Sequence, residues 1–263
     1  MKNYLLIFIF LLIFKGFIIG GEKLKLVLLP AYGTTESLYS YMLPELKAKY
    51  DVTVIELVNY DDITKASDSV FNELKNKYAS SFENDTFYMA GTSMGGMVLM
   101  EFMRKHSNKV AKLVIINSNF NPLTKQQEKG LKSRIEFFEN LQDGVLPEKT
   151  DTDFLNIKHL TKKNKQLVVE MEKSIGVKGL INQAKLLLSR TSYVEDFKTY
   201  NTPTLIITSD SDIVVKDDVV QSMYNALPKN IANLVVIKNA GHFSPLDNPK
   251  DLLKAMDNFI NKK

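Results

Sequence analysis

The chain has 263 residues, a formal net charge of +4 and 44% hydrophobic residues. That length and apolar content suit one globular domain with a sizeable core, while the small charge excess, with no basic stripe or aromatic platform, argues against a nucleic-acid partner. Cysteine is absent, which excludes disulfides, thiolate chemistry and Cys-based metal sites.

The first element is a leader. Met1-Lys2-Asn3 precedes an apolar run from Tyr4 to Phe14; Lys15 interrupts it and Gly16 to Gly21 continues it. A short basic start, an apolar stretch of this length and small residues at Gly20-Gly21 have the form of a secretory signal peptide. The main alternative is a membrane anchor, with Lys15 snorkelling to the interface; a buried core element is the third reading. Segment 1–21 is therefore expected to export domain 22–263, or to hold it at a membrane outside the cytoplasm. Two of the excess positive charges, Lys2 and Lys15, belong to the leader, which carries no acid.

Beyond the leader, strands and helices alternate. Apolar, β-branched runs predict strands at 24–30, 52–57, 86–90, 111–117, 203–208 and 232–237, with helices near 36–48, 65–79, 94–106, 217–226 and 249–261. Such alternation predicts an α/β fold, a parallel sheet covered on both faces and joined by right-handed crossovers. It breaks from about 121 to 190, where the pattern is helical and amphipathic: Leu131 to Leu141, Phe154 to Leu160, Leu167 to Ile175 and Leu180 to Leu188.

The chemistry-bearing motif is Gly91-Thr92-Ser93-Met94-Gly95-Gly96, between the third strand and its helix. Serine at the apex of a sharp strand-to-helix turn is exposed at the strand end, over the positive end of the helix. Gly91 and Gly95 meet the need for bare backbone in so tight a turn. A serine hydroxyl needs a base, and the base an orienting carboxylate, in the chain order serine, acid, histidine. Of the three histidines, His106 lies at the charged end of the elbow helix and reads as a solvated helix end. His159 lies in a lysine-rich helical stretch and reads as surface. His242 follows the last strand in Asn239-Ala240-Gly241-His242-Phe243-Ser244-Pro245, ahead of a helix opened by Asn248 and Pro249, where a base should stand. After the fifth strand come Ser209-Asp210-Ser211-Asp212; composition alone does not separate the two aspartates. No two histidines have metal-ligand spacing, and neither metal nor cofactor is expected.

These motifs resemble the α/β-hydrolase superfamily, and within it small esterase-like, haloperoxidase-like and carrier-protein methyl-esterase-like members. The resemblance runs from about Leu24 to Ile260 and rests on the elbow together with Gly241-His242-Phe243-Ser244-Pro245-Leu246-Asp247-Asn248-Pro249. It implies an α/β-hydrolase fold with a helical cap at about 121–190. In the family register Ser209 takes a glycine's place, making Asp212 the acid and Asp210 the neighbour. The residue after the first-strand glycine donates an oxyanion-hole N–H; here that strand runs into Pro30-Ala31-Tyr32-Gly33, so the implied backbone donors are Tyr32 and Met94. Alanine replaces the usual glycine, Thr92 stands where His, Gln or Glu is common, and the segment after the second strand departs from the family pattern.

The function these readings imply is a serine hydrolase for a carboxylic ester or thioester of modest size, with Ser93, His242 and Asp212 as triad. The alternatives are a carbon–carbon-bond hydrolase or cofactor-free haloperoxidase on the same triad, and, outside catalysis, a silent small-ligand-binding protein. An intact triad argues against the last.

Overall fold

A computed structural model describes residues 23–141, 144–146 and 160–262. The leader expectation and His159 lie outside these residues, as does the expected helix 154–160 except for the buried Leu160. Among the described residues no helix is long and apolar enough to cross a membrane.

The strands are β1 (Lys25–Leu29), β2 (Asp51–Val54), β3 (Phe87–Thr92), β4 (Val110–Ile116), β5 (Thr204–Ser209) and β6 (Ala232–Ile237). They form one sheet in the order β2-β1-β3-β4-β5-β6, and each neighbouring pair is parallel. The helices are α1 (Leu43–Lys49), α2 (Ile63–Lys77), α3 (Met94–His106), α4 (Lys125–Glu139), α5 (Lys162–Leu188), α6 (Val194–Thr199), α7 (Asp217–Ala226), α8 (Ser244–Asp247) and α9 (Pro249–Ile260). This is the α/β-hydrolase fold that the motifs imply.

Strand periodicity sorts the core into two layers. On β1, Val27 and Leu29 face α2, α3 and α7, whose Val70, Val98 and Met223 share their cluster. Leu26 and Leu28 face the opposite side, with Leu46 of α1 and Leu252 and Met256 of α9. Successive strand side chains point to opposite faces, so a strand covered on both sides is apolar except where a polar side chain finds a partner, as Lys25 does in Asp85. All five β1 residues are buried.

The sequence predicts one helix over 36–48; the structure has a 3-10 turn, Glu36–Tyr39, and then α1. Pro44 sits in the first turn of α1, where its missing N–H is harmless, and its ring disfavours helical backbone just before it. In the 121–190 stretch, α4 starts with a reciprocal capping box between Thr124 and Gln127. The two expected stretches ending and beginning around Gly176 form α5, kinked where Gly176 adopts φ 71, ψ 169. Leu131, Ile135, Phe138, Ile175, Leu180 and Ala184 form small clusters between α4 and α5, with Tyr32 packed on both. These two helices therefore roof the end of β1.

Candidate active site

Five strand ends, those of β1, β3, β4, β5 and β6, contribute to the site. At the end of β3, Ser93 adopts φ 51, ψ −112, a left-handed conformation costly for a residue with a Cβ. Its N–H donates to Ile116 O at 2.9 Å and its carbonyl accepts from Ser118 Oγ at 2.7 Å, so the β4 end holds the turn from both sides. The glycines are required by contact. A Cβ on Gly91 would lie 2.5 Å from the Gly95 carbonyl carbon, and one on Gly95 would lie 2.2 Å from Leu29 O. The second approach packs the first turn of α3 against the end of β1.

His242 lies beyond β6, 5% exposed. Its Nε2 is 2.9 Å from Ser93 Oγ, and its Nδ1 is 3.0 Å from Asp212 Oδ2 and 3.1 Å from Oδ1. The structure thus brings Ser93, His242 and Asp212 into one hydrogen-bonded line. Asp212 is fully committed: Oδ1 also accepts from the Val214 and Val215 N–H groups at 2.8 and 3.1 Å, and Oδ2 from Asn117 Nδ2 at 2.9 Å. Burial opposes its ionisation. The His242 charge and the hydrogen bonds from His242, Asn117 and Val214 outweigh burial and hold its pKa below the usual carboxylate value.

Asp210 does not reach the histidine ring. Its exposed carboxylate accepts from the Asn239 and Ala240 N–H groups at 3.2 and 3.4 Å. Slight burial raises its pKa, but these bonds, with Ser211, bring the net value below normal. Asp210 shapes the turn that presents His242, in which Asn239 has φ 53. His106 departs from the expected solvated helix end: its ring stacks on Phe71 at 4.0 Å and contacts Phe102. A flat, partly apolar imidazole gains more on aromatic faces than in water, and burial lowers its pKa.

Tyr32 and Met94 end up where the close Gly95 approach joins β1 to α3. Tyr32 belongs to a turn closed by Thr34 N–H and Oγ1, both donating to Ala31 O at 3.2 and 2.9 Å. Gly33 has φ 70, and its N–H donates to Gln183 Oε1 of α5 at 2.8 Å. The Arg134 guanidinium lies 5.1 Å over the Tyr32 ring. Beneath the elbow, Tyr39 Oη donates to Leu29 O at 2.7 Å and meets Thr92 Oγ1 at 2.9 Å, tying the two strand ends together.

Asn117 is the site residue that sequence reasoning missed. It is 1% exposed with φ 46, which asparagine tolerates better than most residues. Its Nδ2 donates to Asp212 and to Ser209 Oγ, and its Oδ1 accepts from Ser244 Oγ at 2.7 Å. It therefore links the acid strand to the histidine loop. The available signal was a polar pair, Asn117-Ser118, breaking an apolar strand at the edge that carries the elbow. Among the described residues no three His, Asp or Glu side chains form a cluster suited to a metal.

The family model described as the alpha/beta hydrolase fold matches residues 26–249. The chain belongs to the α/β-hydrolase family. Solved structures of similar architecture include an esterase from Thermogutta terrifontis, 19% identical with a TM-score of 0.75, covering 91% of this chain and 90% of that one. An enol-lactonase from Burkholderia xenovorans LB400 is 14% identical, with a TM-score of 0.72 and 93% and 94% coverage. A bromoperoxidase from Bacillus anthracis is 17% identical, with a TM-score of 0.71 and 92% and 93% coverage. At such identities the likeness concerns the fold. No curated protein matches the sequence.

Proposed function

We infer that this α/β-hydrolase cleaves a carboxylic ester or thioester of small to medium size through an acyl-enzyme. The observation that carries the reading is the continuous line from Ser93 Oγ through both ring nitrogens of His242 to Asp212, at 2.9 and 3.0 Å. A buried ring with a carboxylate on one nitrogen and a serine hydroxyl on the other is set to move a proton from that hydroxyl.

In the first step Ser93 Oγ attacks the carbonyl carbon while His242 Nε2 takes its proton. Asp212 keeps Nδ1 protonated and stabilises the imidazolium. The carbonyl oxygen becomes an oxyanion facing the Tyr32 and Met94 N–H groups; removing one such donor in a serine protease costs about 3 to 4 kcal/mol. Collapse breaks the bond to the alcohol or thiol, which receives the proton from Nε2. Water then gives its proton to Nε2, attacks the acyl-enzyme and releases the acid, restoring Ser93. Because the oxyanion donors are backbone groups, Ala31 in place of the family glycine leaves this chemistry open. The cap helices, by excluding water, favour the acyl part over bulk solvent. Segment 1–21 is read as an export leader or anchor, which N-terminal mass spectrometry of the native protein tests: loss of residues up to about Gly20 or Gly21 supports cleavage.

The decisive experiment is fluorophosphonate labelling of the purified protein. The expected result is one adduct on Ser93, lost in Ser93→Ala and in heat-denatured protein. An adduct on another serine, or none, overturns the reading in favour of a silent binding protein.

A further inference from the structure

The catalytic carboxylate has every acceptor filled; the inner face of the cap does not. Gln183, Leu187 and Arg190 follow one another at spacings of four and three residues, a single line along the second half of α5 and its exit. Gln183 is fully buried. Its Oε1 accepts from the Gly33 N–H at 2.8 Å, which fixes the orientation of the amide. Its Nε2 is buried and has no hydrogen-bond partner. Leu187 packs on the same small cluster as Tyr32.

Arg190 follows the C-cap, Ser189. Its Nη2 lies 3.3 Å from Gln127 Oε1, Nη1 only 3.2 Å from the Met97 sulfur, and the buried Nε has no partner. Among the described residues no carboxylate pairs with it, and desolvation lowers its pKa to about 10, still a cation at neutral pH. Thioether and amide oxygen are poor substitutes for the fork of a carboxylate. Buried donors without partners are unfavourable in a free protein, and a partly buried guanidinium with no counter-ion is a place that can accommodate an anionic ligand.

Both side chains contact elements that border the reacting serine: Gln183 the turn after β1, Arg190 the first turn of α3. Gly33 adjoins Tyr32, and Met97, which Arg190 touches, donates its N–H to Ser93 O at 3.2 Å. In the sheet, β1 and β6 lie on opposite sides of β3. The leaving oxygen must face His242, beyond β6, to receive its proton. Groups on the β1 and cap side therefore hold the acyl part.

We propose that Arg190, with Gln183 beside it, forms an anion-reading acyl subsite, so that the preferred substrates are esters whose acyl group ends in a carboxylate. The charge of a single guanidinium matches a carboxylate; a phosphate dianion generally recruits several donors. The assignment rests on the ester-hydrolase reading of Ser93.

The test compares mono-4-nitrophenyl adipate with 4-nitrophenyl hexanoate, two esters of equal acyl length that differ in the terminal carboxylate. Arg190→Met is expected to lower the adipate-to-hexanoate ratio of kcat/KM by at least about tenfold, mainly through KM on adipate. Arg190→Lys should restore part of it. Lys185→Met removes a charge from the exposed side of the same helix and should keep the wild-type ratio. Free adipate should raise the Tm of wild type and of Ser93→Ala, and not that of Arg190→Met. Arg190→Met itself should be at least as thermostable as wild type, since it removes a partly buried charge that has no counter-ion. An unchanged ratio, an equal fall in Lys185→Met, or a lower Tm in Arg190→Met would overturn the subsite. Failure of the hydrolase reading looks different: wild type would not take the fluorophosphonate, while the adipate shift in Tm would still report on Arg190.

Discussion

The two halves of the site obey opposite rules. At the Asp212 carboxylate every acceptor is used: it accepts from His242, Asn117, Val214 and Val215. Under the cap, Gln183 Nε2 and Arg190 Nε are buried with no partner. The first half is organised before any substrate arrives, as stabilising a fleeting charge requires. The second carries unused donors, as selecting a substrate requires. The glycines differ in the same way. Gly95 is demanded by a collision, 2.2 Å between an added Cβ and Leu29 O, whereas Gly176 has open space around it and is demanded by its φ of 71°.

The comparison breaks most sharply at the acid. Asp212→Asn keeps the shape and removes the charge, so kcat is expected to fall about a thousandfold or more with KM little changed. Asp210→Asn, whose amide oxygen can still accept from the turn, should stay within about tenfold. Steady-state kinetics on one ester decides it, and the reverse ranking would move the acid to Asp210. Next in size is Gly95→Ala, where backbone meets backbone: a loss of more than about 3 kcal/mol is expected in a urea melt, or no soluble protein at all.

Asn117→Ala removes a hydrogen bond to an ionised group. A fall in kcat of about tenfold to a hundredfold, with KM held, is the expected result; an effect on KM alone would make Asn117 a substrate contact instead. Gly176→Ala meets no atom and suffers only its dihedral angles, so about 1–3 kcal/mol of stability should go, read as a modest drop in Tm, while Ser93 still takes the fluorophosphonate. If Gly176→Ala abolished labelling, the cap would be part of the catalytic half.

The smallest effect is the pH dependence of the acid. The native pKa of Asp212 is held below its unfolded value of about 3.9. Its ionisation therefore contributes stability that is present above about pH 4 and is lost as pH falls through the native value. The stability difference between wild type and Asp212→Asn, followed by urea melts, should be constant from neutrality to about pH 5 and shrink in more acid solution. A difference that grows on acidification would mean that the carboxyl is held protonated.

Much of this was legible in one dimension. Ser93 and His242 announce themselves because the elbow and the Gly-His loop are local: their glycines, strand and helix adjoin them in the chain. The β1 strand was readable because a strand covered on both faces is an almost unbroken apolar run; β2 and β6, only half-buried, showed through their β-branched residues. The broken helix at 36–48 was not, since the apolar periodicity continues through Pro44 and hides the change of backbone. The choice between Asp210 and Asp212 was closed to composition, as both are acidic residues after the same strand, and only the family register favoured one.

Sequence alone determined what short-range physics specifies: the order of strands and helices, the turn that needs Gly91 and Gly95, the serine at its apex and the histidine after the last strand. Tertiary structure decided which carboxylate the histidine meets, the role of Asn117, 95 residues from Asp212 in the chain, and the bond from Gly33 to Gln183 across 150 residues. Such contacts depend on how β4 registers against β5 and how α5 lies over the end of β1. A hydrogen bond is specified to fractions of an ångström, whereas periodicity specifies only the face on which a residue stands.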